Sequence, residues 1–131
     1  MIYLDSCLVI YLVEEHPLWG SRVADAVDTD EIDFAVSALV ECECLVGPIR
    51  SGSAILQRDY RRLFEGFTLL DMPESVFLRA AELRAQSRIK LPDALHLACA
   101  EHHRCDELWT NDDRLTRVPR GLARNILGAR P

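Results

Sequence analysis

Lysine is almost missing from this chain: Lys90 is the only one in 131 residues, beside fourteen arginines. Positive charge is therefore offered as planar guanidinium forks, which suit phosphate or carboxylate, rather than as ammonium groups. Long hydrophobic runs are missing as well. The longest apolar stretch, Met1 to Val13, contains Asp5 and stops at Glu14-Glu15; a bilayer span needs about 20 apolar residues. That stretch also lacks the basic start and small-residue cleavage site of a secretory signal. There is no linker, repeat or low-complexity segment, so residues 1–131 are expected to form one domain. The five cysteines are odd in number, which argues against a disulfide framework and for free thiols in a reducing compartment, the cytoplasm.

What is present describes a globular protein. Hydrophobic residues make up 49% and charged residues 27%, with mean hydropathy -0.01 and a formal net charge of -6. A disordered tail and a membrane-embedded chain are both excluded. The acidic balance repels polyphosphate, so any role on nucleic acid requires cations or a local basic face.

Along the chain, short apolar runs alternate with helical patterns. Ile2-Tyr3-Leu4 reads as a buried strand, followed by a helix from Cys7 to Glu15 that Pro17 stops and a second helix within Leu18 to Asp28. Ile32 to Ser37 reads as a strand, and Ala38 to Val46 as a helix closed by Gly47-Pro48. Ser53 to Glu65 forms an amphipathic helix, with Ile55, Leu56, Tyr60, Leu63 and Phe64 on one side and Arg58, Arg61 and Arg62 on the other, capped by Gly66. Phe67 to Leu70 is a strand. Asp71, Pro73 and Glu74 supply the signals that open a helix to about Arg88. Pro92-Asp93 opens another to about Arg104, Glu107 to Thr110 is a strand, and Asn125 to Leu127 is the last. Regular alternation of this kind predicts an α/β fold with a mostly parallel central sheet and helices on both faces.

In such folds ligands bind outside the carboxyl ends of the strands. Acidic residues occupy those positions. Asp5 ends the first strand; Glu41 lies one helical turn after the second; Asp93 opens its helix; and the strand Leu108-Trp109-Thr110 delivers Asn111, Asp112 and Asp113. Carboxylates brought together without cations oppose the fold by mutual repulsion, and oxygen ligands without a convergent His or Cys favour Mg²⁺ or Mn²⁺ over Zn²⁺. Those ions point to phosphate chemistry by metal-activated water. Each acid also has a structural role open to it. Asp93 suits a helix N-terminus, Asp5 a helix cap, and Asn-Asp-Asp a turn, whereas Glu41 amid Ala38-Leu39-Val40 has the weakest structural alternative.

Tyr-Leu-Asp-Ser at 3–6, Ser-Ala-Leu-Val-Glu at 37–41, Leu-Pro-Asp-Ala-Leu-His-Leu-Ala at 91–98 and Trp-Thr-Asn-Asp-Asp at 109–113 together resemble the PIN-domain ribonucleases, particularly the VapC-like toxins of bacterial toxin–antitoxin pairs. The resemblance runs in order over nearly the whole chain. It implies a three-layer α/β/α sandwich and a Mg²⁺- or Mn²⁺-dependent endoribonuclease. It further implies a homodimer and inhibition by a cognate antitoxin. By motif, Asp5, Glu41, Asp93 and Asp112 match the metal-binding acids, Thr110 the hydroxyl beside the last acid and Ser6 the one after the first. Asp113 replaces or assists Asp112. Cys7 stands where Ser, Thr or an apolar residue is more common.

Arg58, Arg61, Arg62 and Arg88 are the candidates for RNA contact, against the alternative of a merely solvated face. The apolar stretch Cys7 to Val13, with Trp19, is a candidate dimer or antitoxin surface. A zinc site built from Cys42, Cys44, His96, Cys99, His102, His103 and Cys105 is disfavoured by the Cys-x-Cys spacing. His96 is expected to be a satisfied structural histidine, with RNA or a water near the metal as its alternative. Two other classes remain. One is a catalytically silent module of the same fold. The other is a phosphoacceptor receiver domain, which needs a lysine near the end of a late strand, whereas Lys90 precedes a helix.

Overall fold

The computed structural model describes residues 1–129; the last two residues of the expected 1–131 domain lie outside the described residues. Among the described residues it forms a single α/β domain with a five-stranded, all-parallel sheet and seven flanking helices. In chain order the elements are β1 (Ile2–Leu4), α1 (Ser6–Val13), α2 (Gly20–Val27), β2 (Phe34–Ser37), α3 (Ala38–Ser51), α4 (Ala54–Glu65) and β3 (Thr68–Leu70). There follow α5 (Glu74–Gln86), α6 (Leu91–His102), β4 (Glu107–Thr110), α7 (Asp113–Thr116) and β5 (Ala123–Asn125). No described helix is long and apolar enough to cross a membrane.

The strand order is β3-β2-β1-β4-β5. Central strands of a sheet covered on both faces must be apolar throughout. β1 obeys this, with Ile2, Tyr3 and Leu4 all buried between β2 and β4. The edge strand β3 exposes Thr68 and Leu69. The chain steps from β1 outward to β3 and then returns to the other side of β1 to lay down β4. Right-handed crossovers in opposite directions place their helices on opposite faces. In agreement, α1 through α4 pack among themselves, while α5 and α6 form an antiparallel pair joined by Arg79 and Glu101 at 2.8 Å. The reversal leaves a topological switch point between the carboxyl ends of β1 and β4, the place where such sheets open a crevice.

Several local expectations shift. α3 does not stop at Gly47-Pro48. Pro48 lies inside it and is buried, and the helix ends at Gly52, whose φ of 69° supplies the left-handed turn while the Ser53 N–H donates to the Pro48 carbonyl. Burial of the proline ring outweighs the one helical hydrogen bond it forfeits. α5 starts at Glu74 without a side-chain cap: its N-cap position is Pro73, and Asp71 lies two residues further out, its side chain 3.3 Å from His103 Nε2. Ile55 is exposed rather than packed, since α4 buries mainly Tyr60 and Phe64. The last strand is Ala123–Asn125, two residues earlier than expected. Asn125 pairs with Thr110 and then turns the chain, its Oδ1 accepting from Leu127 N and Gly128 N.

Candidate active site

Asp5 begins the site. As the residue after β1 it is held against β4 by its N–H donating to the Trp109 carbonyl at 3.0 Å, and as N-cap of α1 its Oδ1 accepts from Ser6 N at 2.8 Å. Capping and site geometry are thus one arrangement, with the carboxylate buried to 7% exposure at the end of the sheet. Ser6 Oγ stands 3.4 Å from the same oxygen. Cys7 Sγ lies 3.7 Å from Oδ2, a weak donor that leaves the carboxylate in place.

Thr110 ties the first acid to the last. Fully buried at the end of β4, its Oγ1 donates to Asp5 Oδ2 at 2.7 Å and accepts from Asp112 N at 3.0 Å. Asp112 is the N-cap of the short α7, so the turn expected at Asn-Asp-Asp is a helix start. Its two oxygens are gripped by Arg114 in a fork, Nε to Oδ1 at 3.1 Å and Nη2 to Oδ2 at 2.9 Å. Asp113 accepts instead from Asn125 Nδ2 at 2.9 Å, bracing α7 against β5.

Asp93, in the first turn of α6, is half-buried. Its carboxyl is pushed above the ordinary 3.8 by burial first, then by the negative charges of Asp5 and Asp112, against the opposing pull of His96 and Arg114. Acids from β1, α6 and the β4–α7 junction therefore share one electrostatic neighbourhood.

The glutamate beside Asp5 is Glu43. Asp5, Glu43 and His96 each bring a ligand atom within 4.8 Å of the others. Glu41 instead lines a separate cavity with Arg61, Phe64, Glu65, Phe67 and Leu69, over α4 and the β3 edge. Two residues apart on a helix means about 200° of rotation. With Val40 and Cys44 buried, the two glutamates flank that stripe on opposite sides at comparable angles. Periodicity alone gives no means of choosing between them.

His96, one turn after Asp93, is 1% exposed and has partners on both ring nitrogens: Nε2 is 2.5 Å from Glu43 Oε1 and Nδ1 is 2.6 Å from the Tyr3 hydroxyl. Among the described residues the group of close ligand atoms is Asp5, Glu43 and His96, with Cys7 Sγ at 3.7 Å from Asp5 Oδ2 as the nearby thiol. Of the arginines, Arg58 pairs with Asp59, Arg61 lies beside Glu41, and Arg62 borders a cavity with Leu12, Val13 and Leu63. Arg88 lies elsewhere. It shares a cavity of about 240 Å³ with Arg114 and Arg117, next to the Asp112 fork. Among the described residues the guanidiniums of Arg88 and Arg117 have no hydrogen bond or ion pair, leaving both free to face an anion.

Carboxylate oxygens gathered at the switch point fit a hard divalent cation of the Mg²⁺ or Mn²⁺ type, which would relieve the repulsion registered at Asp93. Ser6 and Thr110 engage different Asp5 oxygens, which fixes the orientation of the carboxylate at the switch point.

A family model described as the PIN domain matches residues 2–121. No curated protein sequence matches the chain. Among solved structures it is similar to a toxin–antitoxin complex from Klebsiella pneumoniae, with 22% identity, TM-score 0.79, and 95% of this chain and 97% of that one covered. VapBC2 from Rickettsia felis, bound to a promoter DNA fragment, gives 21% identity and TM-score 0.76 over 95% and 98%. VapC20 of Mycobacterium tuberculosis, a sarcin-ricin loop cleaving toxin, gives 12% and 0.76 over 91% and 95%. At these identities the likeness is one of fold.

Proposed function

Because the chain belongs to the PIN domain family, we propose that it is a metal-dependent endoribonuclease and the toxin of a toxin–antitoxin pair. The observation that carries this reading is the convergence of acids from distant segments at the β1/β4 switch point, with the Asp93 carboxyl raised by burial first and then by its acidic neighbours. Asp5, Glu43, Asp93 and Asp112 are assigned as the ligands of Mg²⁺ or Mn²⁺, Glu43 taking the place first given to Glu41. Activation of water and neutralisation of phosphate charge are what a bound ion would supply there.

The chain's own residues do the rest. Thr110 fixes Asp5 and the Asp112 backbone together, Ser6 steadies the other Asp5 oxygen, and Asp113 holds α7 in place. In this reading Arg88 and Arg117, which share a cavity with Arg114, would receive a phosphate of the RNA strand. The partner assignments are a cognate antitoxin and a second copy of the chain, in the cytoplasm. A cavity between α1 and α2, lined by Leu12, His16, Pro17, Gly20 and Ala24, continues the apolar α1 surface suited to such contacts.

The test is incubation of purified, partner-free protein with total cellular RNA, with Mg²⁺ or Mn²⁺ against EDTA, beside a folded Asp93→Asn variant. Discrete metal-dependent products absent from the variant support the proposal. A folded wild type that binds metal and cleaves nothing is a silent module of the same fold or an enzyme of very narrow substrate range.

A further inference from the structure

The core of this protein contains a polar chain that packing alone does not require. Tyr3 occupies the middle of the central strand with no solvent exposure, at a position where phenylalanine would satisfy an apolar sheet. Its hydroxyl lies 2.7 Å from Ser37 Oγ at the end of β2 and 2.6 Å from His96 Nδ1 on α6. The opposite nitrogen of that ring meets Glu43 of α3. A buried hydroxyl is costly unless bonded, and here every member has a partner.

Donor and acceptor chemistry gives the chain a direction. Glu43 as a carboxylate only accepts, so His96 Nε2 carries the proton and donates to it. In the neutral ring Nδ1 then only accepts, and the Tyr3 O–H donates to it. That phenol is fully buried and 2.6 Å from the ring nitrogen. The remaining Tyr3 lone pair accepts from Ser37 O–H. Each proton points toward Glu43.

We propose that His96 is a positioning residue, locked by Tyr3 and Ser37, that holds the Glu43 carboxylate in the orientation the cation requires. The distance separates this from direct ligation. His96 Nε2 and Glu43 Oε1 are 2.5 Å apart. Neighbouring ligand atoms on an octahedral ion with bonds of about 2.1 Å lie about 3 Å apart. His96 Nε2 is also 3.8 Å from Asp5 Oδ1, beyond hydrogen-bond reach. Glu43 is about one-third exposed, with a side-chain accessibility of 32%, and has a flexible stem; the rigid, 1%-exposed imidazole is what restrains it. Its second oxygen is left for the ion.

The inference rests on the metal-centre reading above. It is tested by Mn²⁺ titration calorimetry on the full chain as wild type, His96→Leu, His96→Gln and Tyr3→Phe, each with a melting curve. Loss of a group that orients a metal ligand costs about ten- to hundredfold in metal affinity. His96→Leu should show that loss. His96→Gln, whose amide can donate from near the Nε2 position, should recover most of the affinity. Tyr3→Phe should weaken binding several-fold and raise the Mn²⁺ concentration needed for half-maximal cleavage, with the rate restored at saturation. If His96→Leu fails to fold, Tyr3→Phe decides the matter by the same criterion. Wild-type affinity in a folded His96→Leu or Tyr3→Phe protein overturns the role of the relay while leaving the metal centre intact. Nitrogen hyperfine coupling in the electron paramagnetic resonance of bound Mn²⁺ overturns it by making His96 a ligand. Failure of the wild type to bind Mn²⁺ overturns both readings.

Discussion

Replacing Thr110 by valine keeps the shape of a fully buried side chain and removes one oxygen that serves two partners. The hydrogen bond to the Asp5 carboxylate is charge-assisted, worth about 1.5–3 kcal/mol. Leaving the Asp112 N–H without its acceptor costs a further 1–3 kcal/mol or so, and the added methyl returns about 0.8 kcal/mol. The net loss is about 2–5 kcal/mol. With an unfolding entropy of about 2.1 cal/mol/K per residue, a chain of 131 residues loses about 4 °C per kcal/mol. The melting temperature of the metal-free variant should therefore fall by about 7–18 °C, and Thr110→Ser should recover most of it. Calorimetric melting is the assay, followed by Mn²⁺ titration at a temperature where the variant is folded. There the affinity should fall about ten- to hundredfold, because Asp5 and Asp112 are no longer tied. A Thr110→Val protein that melts within about 2 °C of wild type and binds Mn²⁺ equally well would refute this account of how the two acids are joined.

Glu43→Gln should reduce metal-dependent cleavage at least about tenfold while Glu41→Gln changes it less than about twofold; parallel rate measurements check this, and the reverse order would return the site to Glu41. The raised Asp93 pKa has a definite sign in stability. Its contribution is fully present below the ordinary 3.8 and is lost as pH rises through the higher folded value, because ionised Asp93 is half-buried and faces Asp5 and Asp112. Asp93→Asn should accordingly raise the melting temperature of the metal-free protein at pH 7 and flatten its decline above pH 4, as thermal melts across that range would show. Arg88→Ala and Arg117→Ala should each lower the slope of log affinity for uncleaved single-stranded RNA against log salt by about 0.7, measured by fluorescence anisotropy in the Asp93→Asn background.

Much of this architecture was legible in advance because the alternation of short apolar runs with helical periods admits few arrangements. The three-residue apolar run at Ile2–Leu4 reads as a buried strand, and acids following Leu4 and Thr110 fell on the same sheet end once the sheet was parallel. Helix boundaries governed by tertiary packing were harder to place. Pro48 reads locally as a stop, and only its burial keeps α3 running. The Glu41–Glu43 choice had no local solution, since both residues flank the Val40–Cys44 stripe. Only the partner across the crevice, His96 on α6, distinguishes them. Tyr3 likewise reads as core from its neighbours, and its polar role emerges only with Ser37 and His96 in place.

The central claim, that Asp5, Glu43, Asp93 and Asp112 form one cation-binding centre, is tested most directly by the anomalous scattering of manganese in crystals of the protein grown or soaked with Mn²⁺. A peak is expected in the crevice between the ends of β1 and β4, within bonding distance of Asp5 and Glu43 carboxylate oxygens and lost in Asp93→Asn. A peak beside Glu41, or none at the switch point while wild-type crystals hold manganese elsewhere, would contradict it.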